Sequence, residues 1–391
     1  MEKWKPYKLG DIVMLKRGYD LPDKERIKGK FPIISSSGIS GHHNQYKIEG
    51  PCVVTGRYGT LGLIHYSEGK CWPLNTTLYV KDFKGNNPRF VYYFLKTLHL
   101  EEFNGASAVP GLDRNVLHRI KCLFPSNLHI QQQIGSILSS YDDLIEVNNQ
   151  RIRLLGETAR ELYKEWFVRM RFPGYKNAKF LRGIPEKWEL NKLSDLVSTQ
   201  YGYTASAVND EMGPRFLRIT DIADTIINWN DVPHCLIPEK ELNKYLLQFG
   251  DVVVARTGAT VGFAKRLNKF HPPTVFASYL VRLKPRNIIF NYYLGVIIES
   301  DDYKEYIQAV AGGAAQPQAN ANLMTRFSLL KPDDSIIERF NSIIEPIFDQ
   351  REVLLKQNIH LMHIRNRLLP RLISGRLHVR VNSKSRETVG V

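Results

Sequence analysis

Several features that define other protein classes are missing from this sequence. No apolar run reaches the roughly 18 residues that a transmembrane helix needs, so no membrane span is predicted. The opening MEKWKPYKLGD has no apolar segment like that of a signal peptide, and a cytoplasmic protein is expected. No Cys-x-x-Cys pair occurs, which argues against both a zinc site and a disulfide framework; the cysteines are Cys52, Cys71, Cys122 and Cys235.

Catalytic motifs are also missing. No Walker motif occurs, and no Ser, His and Asp set stands in a recognisable local frame. NNPRF at 86–90 differs from the Asn-Pro-Pro-aromatic motif of adenine methyltransferases, and we interpret it as a turn that enters a helix. His42 and His43 are adjacent, but no third ligand follows at a suitable spacing. The sequence therefore predicts a non-catalytic protein without a metal.

Acidic residues are fewer than basic ones. The chain of 391 residues has 54 Lys and Arg against 39 Asp and Glu, which gives a net charge of +15. Such a balance favours a polyanionic partner, with nucleic acid first and an anionic membrane second, although it also occurs in proteins that use charge only for solubility. The length suits two domains of ordinary size.

A glycine-rich turn, GRYGTLG at 56–62, follows Val53 and Val54. Its glycine spacing fits neither the dinucleotide fingerprint nor the P-loop. The alternative that remains open is a stand-alone enzyme that binds a nucleotide or S-adenosylmethionine with this turn. A second copy, RTGATVG at 256–262, follows another valine run and indicates an internal repeat instead.

The two halves of the chain match in an ordered series. Five residues recur 184 positions later, namely Trp4, Leu9, Asp11, Gly18 and Tyr19 as Trp188, Leu193, Asp195, Gly202 and Tyr203. The valine and glycine element recurs after 200 positions, and GASAVPGL at 105–112 corresponds to GGAAQPQA at 312–319. Because the offset only grows along the chain, we predict a tandem duplication with small insertions in the second copy.

Heptad spacing appears at equivalent places in both copies, from about 134 to 166 and from about 336 to 368. We predict two long helices that pair antiparallel within the chain; the alternative is two amphipathic helices that each cover their own domain. Pro346 is expected to kink the second helix or to start a new one, and Gln350 and Gln357 interrupt its seam. The residues predicted to pair the helices or to bind partners are Ile145, Asn148, Ile152, Leu155, Leu162, Trp166, Leu354, Leu361, Ile364 and Leu368.

The predicted fold class is mixed α/β. Short β-rich runs such as CVVTG, TLYV, DVVVAR and SYLVRL lie among turn residues, with shorter helices late in each copy. We predict two similar globular domains, separated by two long antiparallel helices in a pseudo-twofold arrangement. The boundaries are 1–127 and 175–333 for the domains, 128–174 and 334–378 for the helical regions, and 379–391 for a basic tail that we expect to be disordered.

The segment KEWFVRMRFPG at 164–174, the following GIPEKWELNKLSDL and the closing LLPRLISGRL at 368–377 resemble the specificity subunit of type I restriction-modification systems, as do the two glycine turns. The resemblance covers essentially the whole chain. It implies two target-recognition domains, each reading one half of a split double-stranded DNA site, held apart by two antiparallel conserved helices.

The resemblance also implies partners. Two modification subunits that methylate adenine would dock on the chain, and restriction subunits with helicase and nuclease activity can join them. No cofactor is expected on the chain itself, because S-adenosylmethionine, ATP and Mg would bind to the partners. No membrane partner is expected.

Because the two copies differ in sequence, we expect two different half-sites and a non-palindromic target. A helix of about 40 residues is roughly 60 Å long, more than one turn of B-DNA at about 34 Å. Arg57 and Arg256 in the glycine turns are the leading DNA contacts, to phosphate or to a guanine edge. The further candidates are basic, aromatic or hydrogen-bonding residues: Arg17, Tyr19, Ser36, His42, Asn44, Thr60, Tyr203, Arg215, Arg218, Thr260, Lys265 and Arg266.

Overall fold

The computed structural model describes residues 4–103, 111–208, 212–223, 227–312 and 318–379. The chain divides into two compact units. The first is made of two separate stretches of sequence and the second of one continuous stretch. Unit 1 consists of Met1–Asn148 with Gln357–Val391, and unit 2 is Asn149–Lys356. Most of the repeated stretches at 105–112 and 312–319, and the tail beyond Val379, lie outside the described residues.

Unit 1 begins with short strands and ends in long helices. Its elements are β1 (Lys5–Lys8), α1 (Leu9–Ile12), β2 (Met14–Arg17), β3 (Phe31–Ser35), β4 (Gly38–His43), β5 (Cys52–Gly56), β6 (Ile64–Ser67), β7 (Trp72–Pro73), β8 (Thr77–Asp82), α2 (Pro88–Lys96), α3 (Arg114–His118), β9 (Lys121–Phe124) and the first part of α4 (Leu128–Tyr163). The runs CVVTG and TLYV are thus confirmed as strands.

The main sheet of unit 1 is antiparallel, with the order β2-β8-β5-β6. All five residues of β5 are buried, which explains its continuous run of small and apolar side chains. A second sheet has the order β4-β3-β7. Helix α2 starts as predicted from NNPRF, because the Asn87 side chain accepts a hydrogen bond from the Phe90 amide and Pro88 takes the first helical position.

Unit 2 contains the rest of α4 and the second set of α/β elements. These are β10 (Phe180–Leu181), β11 (Ile184–Pro185), β12 (Glu189–Lys192), α5 (Leu193–Leu196), β13 (Val197–Tyr201), β14 (Arg215–Leu217), α6 (Glu239–Tyr245), β15 (Val252–Ala255), β16 (Ala264–Arg266), β17 (Thr274–Phe276), β18 (Leu280–Pro285), α7 (Asn291–Ile298), α8 (Asp301–Ala311), α9 (Ala321–Thr325), β19 (Ser328–Lys331) and most of α10 (Asp334–Ile373), which ends in unit 1.

The main sheet of unit 2 is again four-stranded and antiparallel, with the order β13-β18-β15-β16. Details of the backbone recur as well. A Cβ on Gly18 would lie 2.1 Å from the Leu74 carbonyl oxygen, and a Cβ on Gly202 would lie 2.2 Å from that of Ala277. Both sites therefore require glycine, because the backbone that follows β7 or β17 passes too closely for a side chain.

Within each unit, α4 and α10 contact each other in antiparallel order. In unit 1, Asn148 hydrogen-bonds to Asn358 and Asp142 pairs with Arg365. In unit 2, Trp166 and Phe167 both pack against Phe340, with ring centres 5.7 and 4.9 Å apart. Also in unit 2, Gly156 of α4 lies beside Arg351 of α10, whose Cζ would be 3.6 Å from a Cβ at position 156. In both units, therefore, the residue number on α10 rises as the residue number on the other helical segment falls.

The heptad spacing of the second helix placed Ile343 among the residues that face the first helix, and the structure differs at this point. Ile343 is 44% exposed, whereas the neighbouring Ile344 is fully buried, so this part of the seam is shifted by one residue. Gln357 is exposed and Asn358 is the buried polar residue. Pro346 does not start a new helix, because α10 is assigned as one element from Asp334 to Ile373. Helix α4 ends in a π-helical turn, Lys164–Val168, before Pro173.

The other residues predicted to pair the helices mostly face inward. Ile152, Leu354 and Trp166 are buried, at 2%, 3% and 6% exposure. Half-buried positions are Ile145, Leu155, Leu162, Leu361, Ile364 and Leu368. Leu162 packs on the core of unit 2 and Leu368 on the core of unit 1. In the part of the chain that the structure describes, no helix is long and apolar enough to cross a membrane.

Candidate nucleic-acid interface

The two predicted arginines occupy matching points in the two units. Arg57 follows β5, its amide donates to the Thr76 carbonyl at 2.8 Å, and its own carbonyl accepts from the Leu112 amide at 2.9 Å. Arg256 follows β15, donates to Tyr279 at 3.0 Å and accepts from Ala319 at 2.9 Å. Each arginine backbone is therefore held on both sides at the end of a buried central strand.

The repeat of the valine and glycine element after 200 positions would place Arg57 opposite Thr257, one residue away from Arg256, whereas the structure makes the two arginines equivalent. Arg57 and Arg256 differ by 199 positions, whereas the later glycines of the turns, Gly62 and Gly262, differ by 200. Both glycines have positive φ, 80° and 85°. The extra residue of the second turn therefore lies between the arginine and the last glycine, where Gly258–Thr260 forms a 3₁₀ turn.

Each guanidinium lies over a tyrosine ring. The Cζ atom of Arg57 is 4.5 Å from the centre of the Tyr58 ring, and that of Arg256 is 4.9 Å from the centre of the Tyr201 ring. Both tyrosines are themselves held. The Tyr58 ring packs so closely on Gly111 that a Cβ there would be 2.5 Å from it, and the Tyr201 hydroxyl accepts a hydrogen bond from Ala321 at 3.1 Å.

Neither arginine has an acidic partner within the described ranges. The ion pairs that form there involve other cations, among them Arg17, Arg89, Arg218 and Arg365. Both Arg57 and Arg256 are partly exposed. Their positive charges therefore stay available to an anionic or hydrogen-bond-accepting ligand.

Ser36 and Thr60 lie beside the turn of Arg57. The Thr60 carbonyl oxygen would be 1.9 Å from a Cβ on Gly56, and the Ser36 Cβ would be 3.1 Å from it, so only glycine fits at this point. The β3–β4 hairpin thus brings Ser36 against the glycine turn. His42 and Asn44 are exposed at the other end of the same hairpin, and the structure does not bring them to Arg57.

A second cluster in unit 1 surrounds Tyr19. Its hydroxyl is 2.9 Å from that of Tyr79, and burial together with this hydrogen bond raises the pKa of Tyr79. Lys16 and Lys47 lie 5.8 Å from the centre of the Tyr19 ring. Sequence reasoning missed both lysines, because single lysines on an irregular surface carry no pattern. The neighbouring Arg17 is exposed and pairs with Asp20 at 3.4 Å.

The remaining candidates in unit 2 are less available than predicted. Arg215 donates to the Val232 carbonyl at 2.7 Å. Arg218 makes two hydrogen bonds to Asp221, at 2.9 and 3.1 Å. Tyr203 packs on Tyr245, with ring centres 5.2 Å apart. Lys265 and Thr260 are half-buried, and Lys265 lines a cleft of about 210 Å³.

Arg266 was predicted to contact DNA, but the structure buries its side chain. It is only 9% exposed, and its Cζ atom lies 4.5 Å from the Tyr292 ring centre and 4.6 Å from that of Phe348. Burial lowers the pKa of this guanidinium. Because β16 alternates its faces, Arg266 points into the core while Lys265 faces the cleft, and the sequence did not distinguish them.

The geometry gives no support to the open alternative of a cofactor loop at 56–62. The Glu101 carboxylate lies against Gly62, where its Oε2 would be 2.2 Å from a Cβ. A carboxylate at this point repels a phosphate. Among the described residues, no cluster of three His, Cys, Asp or Glu side chains is arranged to hold a metal ion.

Comparisons with known proteins agree with this picture. The family model of the type I restriction modification DNA specificity domain matches residues 1–156. The MjaVIII specificity subunit of Methanocaldococcus jannaschii is 24% identical over 406 aligned positions, which cover 97% of this chain and 94% of the relative. The MjaIX specificity subunit of the same organism is 25% identical and covers 74% of this chain and 69% of the relative.

The fold has a counterpart among solved structures. The type I restriction-modification S subunit from M. genitalium superposes with a TM-score of 0.63 at 15% identity, covering 95% of this chain and 96% of the other. At this identity the likeness concerns the fold alone. The chain is thus similar to type I restriction-modification specificity subunits in the sequence of its first 156 residues, in sequence at 24% identity over nearly its whole length, and in its fold.

Proposed function

We propose that the chain reads a bipartite, non-palindromic DNA sequence, with one half read by each target-recognition domain, and that it directs partner subunits to that site. In this proposal, residues 1–127 and 175–333 are the recognition domains, and 128–174 and 334–378 are the helical regions between them. The partners are two modification subunits that methylate adenine and restriction subunits that join them. We expect the complex to work in the cytoplasm, with S-adenosylmethionine, ATP and Mg on the partners.

The observation that carries this proposal is the matched pair of arginine turns. Two units that differ in most side chains have the same sheet order, the same close approach at Gly18 and Gly202, and an arginine over a tyrosine after the same strand. A tandem duplication explains these recurrences most simply. Two copies of one DNA-reading unit with different surface side chains favour two different half-sites.

The chemistry of the two surfaces is suited to DNA. Unpaired arginines attract phosphates and also match the acceptor edge of guanine, while Ser36 offers a hydroxyl next to Arg57. The net charge of +15 supplies a long-range attraction to the DNA backbone. Phosphate contacts position a protein on the duplex, and base contacts give it sequence preference.

An exchange of domains tests the proposal. Residues 1–127 are replaced by the equivalent residues of a relative that directs methylation to a different site, and the methylated sequence is determined in cells that express the whole complex. We expect one half of the site to change and the other half to stay. The reciprocal exchange of 175–333 serves as the matched control and should change only the other half. A change of both halves in either chimaera contradicts the proposal that each domain reads one half of the site.

A further inference from the structure

Arg57 and Arg256, the arginines of the two turns, are more restrained and less paired with carboxylates than several other described surface cations of this chain. Each has its backbone amide and carbonyl hydrogen-bonded, its guanidinium over a tyrosine ring, and no acidic partner among the residues that the structure describes. By contrast, Arg17 and Arg218 are bound to nearby carboxylates. Among the surface arginines that the structure describes, this combination is found at Arg57 and Arg256, at the same place in the two main sheets.

Such an arrangement favours one class of ligand over another. A phosphate contact requires only a positive charge at a suitable distance, and a flexible lysine supplies it well. The N7 and O6 acceptors of guanine require two N–H donors in one plane and in a fixed orientation. The guanidinium groups of Arg57 and Arg256 lie over tyrosine rings and form no ion pair with a carboxylate among the described residues, so their terminal N–H groups can donate to such an edge.

The anchoring also lowers the entropy lost on binding. An arginine side chain has much rotamer freedom, and fixing it on contact with DNA costs free energy. Here the backbone is pinned on both sides and the ring restricts the guanidinium before DNA arrives. The packing of Tyr58 on Gly111 and the hydrogen bond to the Tyr201 hydroxyl keep each ring in place.

We propose that Arg57 and Arg256 each read a guanine base edge, one in each half of the target site. This inference rests on the proposed function, since it assigns a base to each recognition domain. Each half-site then contains a G·C pair whose identity depends on one arginine. Tyr58 and Tyr201 act as positioning residues that orient the guanidinium and do not themselves contact the base.

The test uses the complete complex in cells, with the methylated sequence determined for each variant. Arg57→Lys keeps the positive charge but removes the planar pair of N–H donors of the guanidinium. The preference for guanine at one position of one half-site should therefore fall about 5- to 150-fold, while the other half-site stays unchanged. Arg256→Lys should do the same in the other half, which makes the two variants controls for each other. Arg286→Lys, an exposed position after β18, should change neither.

Two further measurements separate reading from folding. The yield of assembled complex is determined for every variant, and methylation is compared per complex. Tyr58→Phe keeps the ring and should preserve the guanine preference, whereas Tyr58→Ala should weaken it.

Three outcomes would overturn the inference. One is a wild-type half-site without a G·C pair. Another is an Arg57→Lys complex that methylates the same sequence at a uniformly lower rate, as a phosphate contact would give. If removing the chain leaves the host's methylated sequences unchanged, the proposed function itself fails, and that result is seen before any arginine variant is made.

Discussion

The buried amide pair between the two long helices in unit 1 gives the sharpest test of their packing. Asn148 and Asn358 are 2% and 4% exposed, and the Asn148 Nδ2 donates to the Asn358 Oδ1 at 2.9 Å. Replacing Asn358 with leucine removes the acceptor and leaves the Asn148 amide donor buried. A buried donor without a partner costs about 1–3 kcal/mol.

The double variant distinguishes this cause from a general packing defect. Asn148→Leu combined with Asn358→Leu removes both polar groups and places apolar side chains in an apolar seam. Such exchanges are nearly neutral or stabilising, so the double variant should recover most of the loss. Gln357→Ala, at the exposed neighbouring position, is the matched control and should change the stability by less than about 0.5 kcal/mol.

Hydrogen exchange measured by mass spectrometry on the whole chain resolves this effect by region. Peptides from α4 and α10 that include positions 148 and 358 should exchange about 5- to 150-fold faster in the single variant, the factor that corresponds to about 1–3 kcal/mol. Peptides from the sheet of unit 2 provide an internal reference. An unchanged single variant, or a double variant in which the two losses add, would refute the assignment of the pair as a buried, mutually satisfied contact.

Three further outcomes follow from the structure. Arg266→Ala should lower the free energy of unfolding by about 2 kcal/mol or more, because the guanidinium is enclosed by aromatic rings. The methylated sequence should stay unchanged, and an altered methylated sequence would show that Arg266 does contribute to DNA recognition. DNA affinity of the assembled complex should fall steeply with salt, by about 0.9 in log–log slope per phosphate contact, and a flat response would contradict a basic interface. The His118 Nε2 accepts from the Leu15 amide at 2.9 Å, and burial lowers the pKa of His118 below its usual value of about 6.5. The unfolded chain then binds this proton first, so His118 stabilises the fold above about pH 6.5 and loses this contribution as the pH falls. The protection of the Leu15 amide, measured relative to its intrinsic exchange rate, should therefore fall on acidification, and His118→Gln should remove that fall.

Local patterns predicted the regular elements well. CVVTG and DVVVAR contain the buried central strands β5 and β15, since their β-branched residues suit a strand covered on both faces. The heptad spacing in α4 correctly marked Ile152, Trp166 and Asn148 as buried, because helical periodicity is a property of the chain itself.

Features that depend on distant contacts were not predictable. Arg266 is buried because rings from α7 and α10 enclose it, and nothing near position 266 in the sequence indicates this. Asn358 was missed because it follows Gln357, and a shift of one residue decides which of them is buried. Cys52 and Cys71 are both fully buried and belong to the same cluster of buried side chains, although they are far apart in sequence. The partners Tyr58 and Tyr201 come from different positions relative to their arginines, so no common motif identified them.

Sequencing of methylated bases in the host genome, with and without this gene, tests the central claim most directly. The account predicts that removal abolishes adenine methylation at one non-palindromic motif, made of two specific segments separated by unspecified base pairs. A methylome that stays unchanged, or the loss of a single undivided palindrome, would contradict it.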